Sequence, residues 1–262
     1  MNAYVNFEER RNSFSDRITY AVQRLILINT VIFAFQLLLD IPFGHPIVHG
    51  EISGPPGGFV ITWLGFQPGA FLNGALWKPV SYMFLHGGLM HLFLNMLWLF
   101  FFGPEVERTL GSRQFIRFYF LCGMFGVLFT FVPMLIWRES VSVFGASGAV
   151  MGVMIAYATI NPDREFFLFP LPIPINARIL VMIVIAMNIF TALQGGSTSV
   201  ATHFGGMIVG FAYMKLMPEF RKWQRMKWRR AHPKGSLERD PVAEAVDNIF
   251  KFDARKRGHW DK

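Results

Sequence analysis

The chain has 262 residues, of which 53% are hydrophobic and only 16% charged, with a formal net charge of +8 and a mean hydropathy of +0.36. Soluble proteins carry about 25% charged residues, so a disordered chain, a collagen-like rod and a disulfide scaffold are excluded, the last also because Cys122 is the one cysteine. The apolar residues come in blocks long enough to cross a bilayer, which makes this an all-α, polytopic membrane protein.

A helix needs roughly 20 mostly apolar residues to cross about 30 Å of hydrocarbon. Six stretches meet that need. The first runs from Ile18 to Asp40, with Arg24 able to snorkel to the headgroups. It follows a polar N-terminal segment and precedes further spans, so it reads as a span and not as a cleavable signal peptide. The second is the uncharged block Pro79 to Gly103, the third Phe118 to Trp137, and the fourth Val141 to Ile160, ended by Asn161-Pro162. The uncharged run Ile179 to Tyr213 is too long for one crossing. Gly195-Gly196-Ser197-Thr198-Ser199 divides it into a fifth span near Arg178–Leu193 and a sixth near Val200–Leu216.

Six spans put both termini on one side. That side holds 23 of the 25 Lys and Arg residues, leaving only Lys78 and Arg138 opposite. The positive-inside rule then places both termini in the cytoplasm. The layout is a cytoplasmic segment 1–17, a six-span domain 18–217 and a basic tail 218–262. The tail has 13 basic and 7 acidic residues. Trp223 and Trp228 alternate with cations just beyond a span, which suits docking on anionic headgroups better than nucleic acid. Val242, Val246, Ile249 and Phe250 fall at helical spacing and predict a short amphipathic helix. The first outer loop, Ile41 to Lys78, is rich in Gly, Pro and aromatic residues and predicts a segment partly submerged in the interface.

Ionisable groups inside spans are costly and are functional candidates by default. The span interiors have no Asp or Glu. They do have His86 and His91 near the start of span two, Asn95 one turn below His91, Ser147 near the start of span four and His203 near the start of span six. Spans two, four and six all run from outside to inside, so these starts share one depth and their polar groups can converge. Taken singly, each residue has a plain structural reading. Ser147 lies among small packing residues, and His91 with Asn95, at i,i+4, could be an interhelical hydrogen bond. Metal binding is disfavoured: there is no His-Glu-x-x-His motif and no nearby carboxylate or thiolate.

Serine chemistry fits the set. A serine hydroxyl needs an adjacent base, and His203 is the suitable one. With no carboxylate in the spans, the pair is a Ser-His dyad. Asn95, His91 and the Ser147 backbone N–H are the donors available to an oxyanion. From Ser147 to Ile160 is 14 residues, or about 21 Å of helix, so span four starts inside the membrane below a water-accessible cavity. Gly148-x-x-x-Gly152 and Gly206-x-x-x-Gly210 predict close approach of spans four and six.

These residues resemble the rhomboid intramembrane serine proteases. Gly145-Ala146-Ser147-Gly148 is similar to the family's Gly-x-Ser-Gly nucleophile motif, and His203 with Gly206 and Gly210 to its sixth-span motif. His86 through His91 to Asn95 is similar to the second-span signature, and Glu107 with Gly111 to the turn that follows. The resemblance covers about residues 20 to 217. It implies a six-transmembrane-helix rhomboid-like bundle that cleaves single-span membrane proteins near their outer end, after local unwinding of the substrate helix. It also implies a gate at span five and a cap at Gly195–Ser199, with no cofactor or metal. Lys78 stands where the family usually has Arg, Met151 where many members have an aromatic residue, and Thr202 where Ala is common. The rival reading is a derlin-type protein that binds membrane clients without cutting them; an enzyme acting on lipid would use the same Ser-His pair. The compact plan and the absence of a transit peptide point to a bacterial cytoplasmic membrane.

Overall fold

The computed structural model describes residues 18–43, 58–137, 142–167, 174–194 and 197–231. Arg10, Arg11, Arg17 and Arg138, the loop glycines Gly195 and Gly196, and the tail segment with Val242, Val246, Ile249 and Phe250 lie outside the described residues, as do the side chains of Trp223 and Trp228. The chain divides into two compact units, Met1–Met214 and Lys215–Lys262. The first carries every side chain discussed below.

The fold is helical. The longer elements are α1 (Tyr20–Phe43), α5 (Leu89–Leu110), α6 (Ser112–Leu128), α8 (Ser147–Ile160), α9 (Ala177–Leu193) and α10 (Ser197–Ala231). Short helices α2 (Gly58–Leu64), α3 (Pro68–Leu72) and α4 (Lys78–Ser81) occupy the first loop, and α7 (Phe131–Trp137) follows α6. Among the described residues, three helical stretches are long and apolar enough to cross a membrane: Tyr20–Asp40, Leu89–Leu110 and Ser112–Ile136. The helices Ser147–Ile160 and Ala177–Leu193 are apolar but shorter. Leu27, Phe35, Leu38, Met187, Phe190 and Phe211 point outward, while Asn29, Gln36, Asn95, Glu107, Asn188 and Thr202 are buried. An apolar exterior around polar groups is the arrangement a lipid solvent favours.

Two expected spans change shape. The apolar block Pro79–Gly103 is not one helix: α4 and a 3₁₀ turn at Tyr82–Phe84 come first, Leu85 is extended, and the continuous helix starts only at Leu89. Gln36 of α1 supplies the reason. Its Nε2 donates to the His86 carbonyl at 2.8 Å and its Oε1 accepts from the His86 N–H at 3.1 Å, so backbone groups freed from a helix are still satisfied at depth. The third span begins at Ser112, not Phe118, which puts Arg113 and Arg117 on its first turns. It breaks at Phe129–Thr130, before α7. Pro133 has no N–H to donate to the Phe129 carbonyl, which accepts from Val132 N at 3.0 Å in a tighter turn. A further element was not foreseen: β1 (Glu165–Phe167) pairs antiparallel with β2 (Pro174–Asn176), with Glu165 opposite Asn176.

Helix α8 lies at the centre, packed against α5, α6 and α9, and it buries Gly148, Ala149, Gly152, Val153 and Ala156. The two small-residue stripes meet as their spacing predicts. A Cβ on Gly206 would overlap the Gly148 carbonyl, and one on Gly210 would lie 2.8 Å from the Gly152 carbonyl oxygen. α6 joins the same contact, because a Cβ on Gly126 would lie 2.8 Å from Gly206 N. Backbones that touch this way leave no room for a side chain between α8 and α10.

Glu107 ties two ends of the bundle together. Its carboxylate accepts from the backbone N–H groups of Ala21 and Val22, each at 3.0 Å, and from the hydroxyls of Thr19 and Ser112. The first two are N–H groups in the opening turn of α1, which has no partners of its own there. An anion at that end also complements the helix dipole. In the first loop the opposite pole is capped. The carbonyls of Thr62, Trp63 and Leu64, at the end of α2, accept from Lys78 Nζ, Trp77 Nε1 and Ser81 Oγ at 2.9, 3.3 and 2.6 Å. A cation over a helix C-terminus is favourable, and it gives buried Lys78 a partner.

Candidate active site

Ser147 is the first residue of α8, and the loop before it is pinned on three sides. Phe66 and Val143 exchange two backbone hydrogen bonds of 2.8 Å, Gln67 Nε2 donates to Ser142 Oγ at 3.0 Å, and Gly145 N donates to the Tyr82 carbonyl at 2.9 Å. Tyr82 is fully buried, with its hydroxyl on the Gly123 carbonyl at 2.8 Å. The loop is therefore rigid where it delivers the serine. Gly145 has φ +124°, a conformation that side chains rarely adopt. A Cβ there would also collide with the ring of His91, 2.8 Å from Cε1.

His203, in the second turn of α10, places Nε2 at 2.8 Å from Ser147 Oγ. The close contact of α8 with α10 at Gly148 and Gly206 sets that distance. Both side chains are partly exposed, so the pair is reachable. On its other edge, His203 Nδ1 lies 2.7 Å from Asn188 Oδ1 of α9. Sequence reasoning missed Asn188. It sits in the uncharged run read only as span five, although a polar residue in a span was the signal that singled out Asn95.

His91 and Asn95 stand one turn apart on α5. A Cβ on Gly145 would lie 2.9 Å from His91 Nε2 and 3.8 Å from Ser147 Oγ, so the imidazole and the hydroxyl flank one point. His91 Nδ1 accepts from Gly87 N at 3.3 Å, which leaves the ring proton on Nε2, facing that point. Asn95 is buried and donates one Nδ2 hydrogen to the His91 carbonyl at 2.9 Å. The second hydrogen remains for another acceptor. Ser147 N–H belongs to the first turn of α8, whose N–H groups have no acceptor within the helix. His86 is not part of this set. It is fully buried behind His91, with ring centroids 5.2 Å apart in an edge arrangement. Met151 lies one turn after Ser147 and is half-buried, and Thr202 packs beside Gly148, with its Cγ2 2.9 Å from where a Cβ would stand. Among the described residues, no group of three or more His, Cys, Asp or Glu could hold a metal ion.

A serine hydroxyl in contact with an imidazole, with an N–H donor across a small gap, is an arrangement that can support acyl transfer. Residues 73–220 match the family model described as the Rhomboid domain. The chain belongs to the rhomboid family. Rhomboid protein 1, mitochondrial, of Saccharomyces cerevisiae is 34% identical over 133 residues, half of this chain and 38% of that protein. Rhomboid protease GlpG of Haemophilus influenzae is 29% identical over 151 residues, 57% of this chain and 74% of that protein. Rhomboid protease GluP of Bacillus subtilis is 32% identical over 141 residues, 53% of this chain and 25% of that protein. The chain thus spans well under two thirds of the yeast protein and of GluP. Family and apolar helices together make it an integral membrane protein of an intramembrane protease family.

Proposed function

We propose that the chain is an intramembrane serine endopeptidase in which Ser147 is the nucleophile and His203 the general base. Ser147 Oγ attacks the scissile carbonyl carbon while its proton passes to His203 Nε2. The carbonyl electron pair becomes an oxyanion held by Asn95 Nδ2–H, His91 Nε2–H and the Ser147 N–H. Collapse of the intermediate breaks the C–N bond, and the Nε2 proton goes to the leaving amine. Water then repeats the sequence on the acyl-enzyme and frees Ser147. The observation that carries this reading is the 2.8 Å contact between Ser147 Oγ and His203 Nε2, at the start of a helix of 14 residues.

The substrate is a membrane protein with a single transmembrane helix, cut near its outer end. A six-span domain 18–217, with α8 as a short fourth span, fits a water-filled site in the outer half of the bilayer. Segment 1–17 and the basic tail 218–262 lie in the cytoplasm, the tail on anionic headgroups, in a bacterial cytoplasmic membrane. GlpG and GluP belong to bacteria, which supports a bacterial membrane, whereas the yeast relative is named mitochondrial.

Cleavage of a single-span substrate in liposomes tests the proposal. Wild type cuts, whereas Ser147→Ala and His203→Ala each fall by at least about a thousandfold. Equal cleavage by all three would refute it.

A further inference from the structure

We propose that Asn188 is a positioning residue that holds His203 in the one tautomer able to act as a base toward Ser147. The inference rests on the Ser147–His203 reading above and adds a third residue to it. Asn188 lies on α9, only 8% exposed, with apolar Ile183, Met187 and Ile189 turned outward around it. A carboxamide in such a helix needs partners for both ends, and it has them. Nδ2 donates to the Val184 carbonyl at 2.8 Å, one turn back, and Oδ1 lies 2.7 Å from His203 Nδ1.

The hydrogen positions follow from donor and acceptor chemistry alone. The Val184 carbonyl can only accept, so the amide NH₂ must face it and Oδ1 must face His203. Oδ1 can only accept, so His203 Nδ1 must carry a hydrogen. A neutral imidazole with Nδ1–H has its lone pair on Nε2, and Nε2 is 2.8 Å from Ser147 Oγ. The serine O–H therefore donates to the base. The other tautomer would set the Nδ1 lone pair against Oδ1 and offer Ser147 a hydrogen in place of an acceptor. Two facing lone pairs in a low-dielectric site would forfeit the bond.

The choice of a neutral amide is physically sensible here. A carboxylate would orient the ring equally well but would put a charge inside the membrane. When His203 takes the serine proton, Nδ1–H still points at Oδ1, whose dipole favours the transient imidazolium without reorganisation. α9 is thereby tied to the reacting pair on α8 and α10 through one side chain.

The test combines kinetics with ¹⁵N NMR of imidazole-labelled protein in micelles, using two substitutions close in shape. Asn188→Leu keeps the branching at Cγ and removes the acceptor; Asn188→Asp keeps the acceptor. In wild type, His203 shows a protonated Nδ1 and an unprotonated Nε2. Asn188→Leu shows mixed tautomers, and kcat on a single-span substrate falls about tenfold, the worth of one hydrogen bond, with KM changed less than about twofold. Asn188→Asp restores the wild-type tautomer and most of kcat. A wild-type His203 with its proton on Nε2 would overturn the inference, and so would Asn188→Leu with an unchanged tautomer and rate. Should Asn188→Leu fail to fold, the wild-type and Asn188→Asp spectra decide. The tautomer signal does not need turnover: a wild type that cut nothing but held Nδ1–H would contradict the proteolytic reading and still support Asn188.

Discussion

At Gly206 a single hydrogen separates two helix backbones, and the position of the base depends on it. Any side chain there would overlap the Gly148 carbonyl and push α10 away from α8. His203, one turn earlier, would move with it. Gly206→Ala should therefore cost about 2 kcal/mol of stability and lower cleavage more than that loss implies, because the Ser147–His203 contact opens. Thermal unfolding and kcat, measured on the same preparation, check both parts; a variant as active as wild type would mean that the contact is not set by this glycine. Ser147, His203 and the glycine stripes were legible because each carries a local pattern at helical spacing. Asn188 and Gln36 were not. Their partners, His203 and the His86 backbone, are fixed by how helices pack, and a lone Asn or Gln in an apolar run does not name its partner.

The elements are held at their ends as much as along their faces. Glu107, on α5, satisfies the opening turn of α1, and Ser112 of α6 adds to the same carboxylate. The substitution Glu107→Ala leaves those N–H groups without an acceptor and should destabilise the protein by about 3 kcal/mol, with no direct effect on the site. Unfolding in detergent should show the loss, while cleavage below the transition stays close to wild type. A variant of unchanged stability would contradict this role. Element existence was legible from the apolar blocks, but several boundaries were not, among them both ends of α10, which runs from Ser197 to Ala231 and not from Val200 to Leu216. The start of α5 at Leu89 depends on Gln36 replacing helical bonds at His86, and the break at Phe129–Thr130 depends on how the turn before Pro133 resolves its free carbonyl. Hydropathy is blind to both, since the residues on either side are equally apolar. The paired strands β1 and β2 were not legible because Pro170, Pro172 and Pro174 alternate with Leu171, Ile173 and Ile175, and proline argues against a strand.

At the scale of the molecule, apolar side chains line the outside as well as the core. Leu27, Phe35, Leu38, Met187 and Phe190 face outward while other apolar side chains fill the core, and Asn29, Gln36, Asn95, Glu107 and Asn188 are buried among these. Such a bundle can hold water-dependent chemistry inside hydrocarbon only if the reacting groups meet below the outer surface. On the proposed reading of α8 as a short fourth span, its 14 residues, about 21 Å long, leave room for that above Ser147. The central claim is that Ser147 is a nucleophile because His203 activates it. Labelling of the protein in liposomes with a fluorophosphonate, followed by peptide mass spectrometry, tests that most directly. The account predicts one adduct, on Ser147 in wild type, and none in His203→Ala. Labelling of Ser147 that is unaffected by His203→Ala, or an adduct on a different serine, would contradict it.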